Sequence, residues 1–287
     1  MLPTYDVFDE ARYFDVAPEV HIVPFKDEVL GISICEDAWN TPELWPRQRP
    51  YSFDPVQALA EEGATLFINI SASPFYKGKE SIRHDLIRAH ARTHGVPFVY
   101  ANQIGANDEL VFDGKSFCLD ERGDPIADFP SFQEHVRTIE TSAAGTPGAY
   151  IPQDEIASVY EALVLGIRDY MSKCGFSKAV IGLSGGIDSA VTCCLATAAL
   201  GGENVLAMSM PSQFSSRGSV EDSREVAANL GARFEVVPIS DVFEAYRATL
   251  GELLEGEEIG VAEENLQARI RGNLLMAMSN EYGYLLL

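Results

Sequence analysis

Gly182, Leu183, Ser184, Gly185, Gly186, Ile187, Asp188 and Ser189 form the stretch that most limits what this chain can become. They follow a short apolar run, Ala179-Val180-Ile181, and open a helical pattern over residues 190–200. The implied order is strand, glycine turn, helix start. In such a turn backbone N–H groups converge and the positive end of the helix dipole adds to them, so an anion is the natural guest. The glycines admit phosphate oxygens close to the backbone, and Asp188 could hold a divalent cation against them. No lysine completes G-x-x-x-x-G-K-[ST], and the G-x-G-x-x-G spacing is absent. The bland alternative is a glycine turn that only caps a helix; five fixed residues in this setting seldom arise by chance.

Ser184-Gly185-Gly186-x-Asp188-Ser189 resembles the pyrophosphate loop of the ATP pyrophosphatases. That family splits ATP into AMP and pyrophosphate while adenylating a substrate, so the resemblance implies ATP, with Mg²⁺ near Asp188. Composition sets the outer limits. A formal net charge of −22 argues against a general nucleic-acid or anionic-membrane surface. Cys35, Cys118, Cys174, Cys193 and Cys194 make no metal-type pairs and are odd in number. With no signal peptide and no long apolar span, a reducing cytoplasm is the expected compartment.

Before the loop, β-rich runs at residues 20–24 and 29–34 lead to Cys35-Glu36-Asp37-Ala38-Trp39. A cysteine where a strand gives way to a loop can be a displayed nucleophile; a small buried hydrophobe is the commoner fate of a lone cysteine. A buried strand is expected at 65–70 and a charged helix at 79–93, with Ile82, Leu86 and Ala89 at helical spacing. Further strands are expected at 97–103, 109–112, 115–119, 125–129 and 136–141, giving a layered α/β sandwich. His84, His90 and His94 on the helix could present imidazoles to a metal, but no carboxylate or cysteine completes a set, so solvated surface histidines are expected.

These landmarks resemble the nitrilase-like glutaminase domain of bacterial glutamine-dependent NAD synthetases. The matching stretches are Leu2-Pro3-Thr4-Tyr5 through Phe14, Cys35-Glu36-Asp37-x-Trp39, and Asn69-Ile70-Ser71-Ala72-Ser73-Pro74-Phe75 with Gly78-Lys79. The resemblance makes Cys35 the thiolate that attacks the side-chain amide of glutamine, with the Glu36 N–H helping to hold the oxyanion. It makes Tyr5, Ser73 and Lys79 glutamine-holding residues, and Phe8 and Glu10 match pocket positions. Asp6 stands where the family often has glycine. The family's triad lysine and glutamate lie upstream of the Leu-Pro-x-Tyr stretch. Met1 therefore reads as an internal methionine or clipped start, and the glutaminase half is expected to be inactive. Measured glutamine hydrolysis by this chain would refute that.

Residues 143–148, rich in small and turn residues, are the expected domain boundary, giving a glutaminase domain over 1–145 and a synthetase domain over 146–287. An amphipathic helix is expected over 155–174, with Ile156, Val159, Leu163, Ile167 and Tyr170 on its buried face. Strands at 179–183, 205–210 and 234–239, with a helix at 220–230, predict a parallel sheet with right-handed crossovers. The acidic stretch 252–264 reads as a solvated loop, and a helix is expected from Asn265 to about residue 281. By resemblance Asn265 contacts deamido-NAD, with Arg269 and Arg271 as further candidates, and residues 208–216 line the adenosine pocket. The family's next segment, Thr-Gly-Asn-Lys-Ser-Glu, lies beyond Leu287.

The fold class implied is α/β: a partial nitrilase-like α-β-β-α sandwich followed by a partial doubly wound parallel-sheet domain of the adenine nucleotide alpha hydrolase type. The implied reaction is ATP-dependent amidation of deamido-NAD through an acyl-adenylate, using ammonia from glutamine. The small-molecule partners are then glutamine, ATP and deamido-NAD, within a homo-oligomeric full-length protein. Two alternatives stay open: another adenylating glutamine amidotransferase, or a non-catalytic ATP- or AMP-binding fragment.

Overall fold

Strand pairing in the first half is set by three apolar runs that pair in parallel, β2 (Glu28–Ile34), β3 (Leu66–Ser71) and β4 (Phe98–Asn102). The computed structural model describes residues 1–4, 8–40, 52–251 and 260–287. They divide into two compact units, Met1–Ala162 and Leu163–Leu287. In the first, β1 (Ile22–Phe25) joins β2 antiparallel, while β7 (Phe117–Leu119) and β8 (Pro125–Asp128) extend the other edge, giving the order β1-β2-β3-β4-β7-β8. The hairpin β5 (Ile104–Asn107) and β6 (Leu110–Asp113) stands as a separate pair.

Both crossovers between the parallel strands are helices: α1 (Pro55–Glu61) and α2 (Lys79–His94). Sequence patterning missed α1, although its start is chemically explicit. Asp54 accepts from the N–H of Val56 at 3.1 Å and of Gln57 at 3.2 Å, and Pro55 fills the first helical position. Val56 and Leu59 of α1 with Leu86, Ile87 and Ala91 of α2 bury Phe67, Phe98, Tyr100, Phe117 and Leu119 of the sheet. The opposite sheet face carries Ile32, Ile34 and Ile70, which are exposed. The strand expected at 136–141 does not form, and Val136 is fully exposed. Charged Glu134, Arg137 and Glu140 leave that run no apolar face for a sheet to bury.

The buried face of α2 also differs from expectation. It runs through Arg83, His84, Leu86, Ile87, His90 and Ala91 rather than through Ile82 and Ala89. That is still the i, i+3, i+4, i+7 stripe of a core-facing helix, with one arginine and two histidines in apolar slots. His84 and His90 are buried and not solvated. His90 Nε2 lies 2.8 Å from the Ala38 carbonyl, and His84 stacks on Tyr150 with ring centroids 3.6 Å apart. Burial holds the His84 pKa below its ordinary value. The unfolded chain therefore takes up this proton first, and stability falls as pH drops through the ordinary histidine range near 6.5. Between pH 7.5 and 5.5 the urea midpoint should fall more for the native chain than for His84→Phe.

In the second unit β9 (Ala179–Gly182), β10 (Val205–Ser209), β11 (Arg233–Val236) and β12 (Leu285–Leu286) are all parallel, in the order β11-β10-β9-β12. The connections are α4 (Ile187–Leu200), α5 (Arg217–Asn229), and the pair α6 (Ser240–Leu250) and α7 (Val261–Tyr282). One face packs Ile181, Val205 and Ala207 on Cys193, Ala196 and Ala227 of α4 and α5. The other packs Val180, Leu206 and Met208 on Phe243, Ile270 and Leu275 of α6 and α7. The sheet is thus covered on both sides, as a doubly wound fold requires. β11 is shorter than expected, yet Val237 and Ile239 still donate to the Ser209 and Pro211 carbonyls at 2.8 and 2.9 Å.

Helix α7 starts four residues before the expected Asn265, because Glu263 accepts from the Gly260 N–H at 3.0 Å and caps the first turn. The upstream part of the acidic stretch, residues 252–259, lies outside the described residues. Helix α3 (Glu155–Lys173) forms as expected but buries a different stripe, Ser158, Ala162, Leu165 and Met171. Ile156, Leu163 and Tyr170, expected inside, are exposed. The buried stripe begins with small residues at 158 and 162, which size-blind apolar periodicity does not register. Among the described residues no helix is long and apolar enough to cross a membrane.

Candidate functional sites

Cys35 ends the β2 run and begins a short 3-10 turn, Cys35–Ala38. Its φ of +38° places a non-glycine residue in left-handed space, a strain that surrounding contacts must hold. Asp37 caps the turn, accepting from the Ile34 N–H at 2.8 Å. At the end of neighbouring β3, the Ser71 hydroxyl and the Ala72 N–H lie against the Cys35 sulfur. Asn69 spans the two strands, donating to Ser33 Oγ at 2.9 Å and accepting from the Ser71 hydroxyl at 2.6 Å. Burial pushes the Cys35 thiol up; Ser71, Ala72 and the Lys79 charge pull it back, and Glu36 pushes it further up.

Lys79 is the first residue of α2, and its ammonium sits over the rings of Trp39, at 5.5 Å, and Tyr76, at 5.0 Å. Burial and then the Arg83 charge lower its pKa, against Cys35, Asp113 and Glu36. Ser73 is buried, and its N–H donates to Asn102 Oδ1 at 2.9 Å. The structure therefore brings Cys35, Ser73 and Lys79 together around one strand end. Tyr5 and Asp6 lie outside the described residues, and Glu10 forms part of a short turn, Glu10–Arg12. Sequence reasoning did not single out Arg83, Asn102 or Asp113. The sequence signal for Arg83 was its place in an apolar slot of α2.

In the second unit the strand order reverses at β9: β10 and β11 lie to one side and β12 to the other. The turn after β9 is thus at the carboxyl-end switch point where open α/β sheets bind ligands. Gly182 and Leu183 leave the sheet, the Leu183 N–H still reaching the Met208 carbonyl at 2.8 Å. Gly185 has φ +84°, and a Cβ there would stand 2.5 Å from the Ser219 carbonyl oxygen of α5. The loop is tied by its own hydroxyls. The Ser184 N–H donates to Ser189 Oγ at 3.2 Å, the Gly186 N–H to Ser184 Oγ at 3.3 Å, and the Ser189 hydroxyl to the Gly186 carbonyl at 3.0 Å. Two of the N–H groups expected to meet an anion are therefore held by serines. The first-turn N–H groups of Ile187, Asp188 and Ser189 have no intrahelical acceptor, and all three residues but the last are exposed. Among the described residues no group of three or more His, Cys, Asp or Glu side chains could alone cage a metal. One carboxylate, Asp188, fits a Mg²⁺ that takes its other ligands from water and phosphates.

Residues 208–216 follow β10 at the same carboxyl edge, with Met208, Met210 and Ser212 buried and Phe214 exposed. The Arg271 Nε donates to the Met210 carbonyl at 3.0 Å, so this arginine braces that edge. Asn265 is exposed near the start of α7, and the described contacts do not join it to the glycine turn.

Comparison with known proteins settles the lineage. The NAD synthase family model matches residues 159–287. A glutamine-dependent NAD(+) synthetase of Synechocystis is 44% identical over the whole of this chain, which covers 52% of that relative. This chain is a homologue of the glutamine-dependent NAD(+) synthetases. The Thermotoga maritima synthetase is 39% identical over the whole chain, which covers 54% of it. In three dimensions, the glutamine-dependent NAD+ synthetase of Acinetobacter baumannii, solved with adenosine diphosphate, matches with a TM-score of 0.87 and 33% identity, over 100% of this chain and 53% of that one. The chain thus spans about half the length of the synthetases it matches.

Proposed function

We propose that this chain carries two parts of glutamine-dependent NAD synthesis: the nucleophile's side of a thiol site that takes ammonia from glutamine, without full glutaminase activity of its own, and a nucleotide site that activates the acceptor. The observation that carries the first is Cys35 on a strained turn, with the Ala72 N–H and Ser71 hydroxyl against its sulfur. The thiolate attacks the amide carbon of glutamine, and the tetrahedral oxyanion collapses with cleavage of the C–N bond as the nitrogen takes up the proton given up by the thiol; ammonia leaves a Cys35 thioester, which water hydrolyses to glutamate and the free thiol. Developing negative charge on the oxygen is met by backbone donors, with the Glu36 N–H the candidate on the nucleophile's own turn. Lys79, Ser73 and Tyr5 are assigned to holding the glutamine.

In the nucleotide site the first turn of α4 receives phosphate oxygens, with Asp188 the ligand for Mg²⁺, which would offset phosphate charge when bound. Ser184 and Ser189 keep the turn in shape, and residues 208–216 line the adenosine side. The reading extends to ATP as donor, deamido-NAD as acceptor by way of Asn265, and an acyl-adenylate that ammonia resolves to the amide. It also assigns residues 1–145 and 146–287 to the two activities.

A diazo-ketone analogue of glutamine should alkylate Cys35 and spare buried Cys118 and Cys193, with free glutamine protecting. Labelling that bypasses Cys35, or that glutamine does not slow, would overturn the first half. Calorimetric titration with ATP and Mg²⁺ should give saturable binding that weakens about tenfold in Asp188→Asn, equal to ~1.4 kcal/mol. Equal affinity in the variant would remove Asp188 from the site.

A further inference from the structure

The Ala72 N–H that faces Cys35 belongs to the last peptide of β3, whose Ser71 carbonyl accepts from the Gln103 N–H at 2.8 Å, but the strand ends there and the backbone beyond it leaves the sheet. The next residues are gripped from outside. Asn102, at the end of β4, accepts from the Ser73 N–H at 2.9 Å, and its Nδ2 lies 3.5 Å from the Ser73 carbonyl and 3.0 Å from the Gly114 carbonyl. Arg83 Nη1 reaches the same Ser73 carbonyl at 3.4 Å and Asp113 Oδ1 at 2.9 Å, while its Nη2 pairs with Asp113 Oδ2. Arg83 and Asp113 are 1% and 0% exposed. Two side chains therefore converge on the backbone of one residue, Ser73, at its N–H and its carbonyl, one position past Ala72. Both are anchored to Asp113 and Gly114 at the end of β6.

We propose that Arg83 and Asn102, locked by Asp113 and Gly114 at the end of β6, are positioning residues that fix Ser73 and through it keep the Ala72 N–H against the Cys35 sulfur. The inference deepens the glutaminase reading and rests on it for its functional meaning. The arrangement also accounts for the chemistry of a fully buried arginine. A planar, fork-shaped cation can serve a carboxylate and a carbonyl at once, which a lysine ammonium on a flexible stem does not reproduce.

The pH dependence of Cys35 alkylation by iodoacetamide separates positioning from general support, because the two move it in opposite directions. Burial raises this thiol, and its contacts with Ser71 and the Ala72 backbone lower it. The charged and titratable groups around it are Glu36 on its own turn, Lys79 and Arg83 on α2, Tyr100 on β4 and Asp113 on β6. Neither Asn102→Ala nor Arg83→Lys alters the charge of any of them. If the clamp positions the peptide, each variant moves the alkylation midpoint upward by ~0.5 unit, about threefold slower at pH values below it. If these residues merely support the fold, loosening admits water, the midpoint falls toward that of a free thiol and alkylation accelerates. That result, or an unchanged midpoint in both variants, overturns the proposal. Glutamine binding followed by calorimetry tests the underlying reading separately. No binding by the native chain would sink the glutaminase assignment, while the alkylation midpoints still decide whether the clamp exists.

Discussion

Gly185→Ala should destabilise the second unit by about 3 kcal/mol, while Gly186→Ala, one residue on, should cost well under 1 kcal/mol. The difference follows from backbone geometry. At Gly185 φ is +84°, where an L-residue loses about 1–2 kcal/mol to the clash of its Cβ with the following carbonyl. The new methyl would also stand 2.5 Å from the Ser219 carbonyl oxygen and 2.8 Å from the Ser219 Cα. Both are backbone atoms of α5, so relief requires the helix to shift, which disturbs the Ser223 bond to the Leu183 carbonyl at 3.2 Å. Gly186 has φ −86° and ψ 158°, open to any residue, and a methyl there meets Ser184 Oγ at 3.4 Å, an ordinary contact. Its effect should fall on the ligand instead, since the methyl sits where phosphate approaches the helix start. Hydrogen exchange of β9 amides, read by mass spectrometry, should accelerate in Gly185→Ala and not in Gly186→Ala. ATP titration should weaken by about tenfold in Gly186→Ala, ~1.4 kcal/mol. Equal exchange in the two variants would mean that the turn is not locked against α5.

Much of this architecture was legible because its signals are local. The glycine turn, the run into Cys35 and the strand–helix alternation of the second half each depend on residues near in sequence. Helix α3 shows where that stops. Its length was readable, but its buried stripe was not, because Ser158 and Ala162 face inward while the larger Ile156 and Leu163 do not. The α2 histidines mislead for a related reason. Polar residue types suggest solvent, yet His90 finds the Ala38 carbonyl and His84 finds the Tyr150 ring, both distant in sequence. Around Cys35, Ser73 and Lys79 were accessible through motif resemblance. Asn102 and Asp113, 29 and 40 residues further on from Ser73, were not, since only the folded sheet brings strand ends together.

The same separation makes the Arg83–Asp113 pair the most costly break available in the first unit. Its side chains are 2% and 1% exposed, so water cannot replace either partner. Asp113→Ala should cost about 3–5 kcal/mol, because it leaves a guanidinium buried without its carboxylate, and burial is already the largest influence on that group. Arg83→Met should cost a similar amount by stranding the carboxylate. The double variant Arg83→Met, Asp113→Val removes both charges at close to the pair's summed volume and should recover most of the loss, since buried pairs replaced by apolar side chains are often neutral. Both tryptophans of the chain, Trp39 and Trp45, belong to the first unit, so urea unfolding followed by tryptophan fluorescence reports that unit alone. The double variant separates stability from positioning. A chain with its native urea midpoint restored but its Cys35 alkylation midpoint still raised would show that the pair is retained for the geometry of Ala72 and Ser73, and that the fold itself could do without the charge. Recovery of both midpoints would reduce the pair to a structural element.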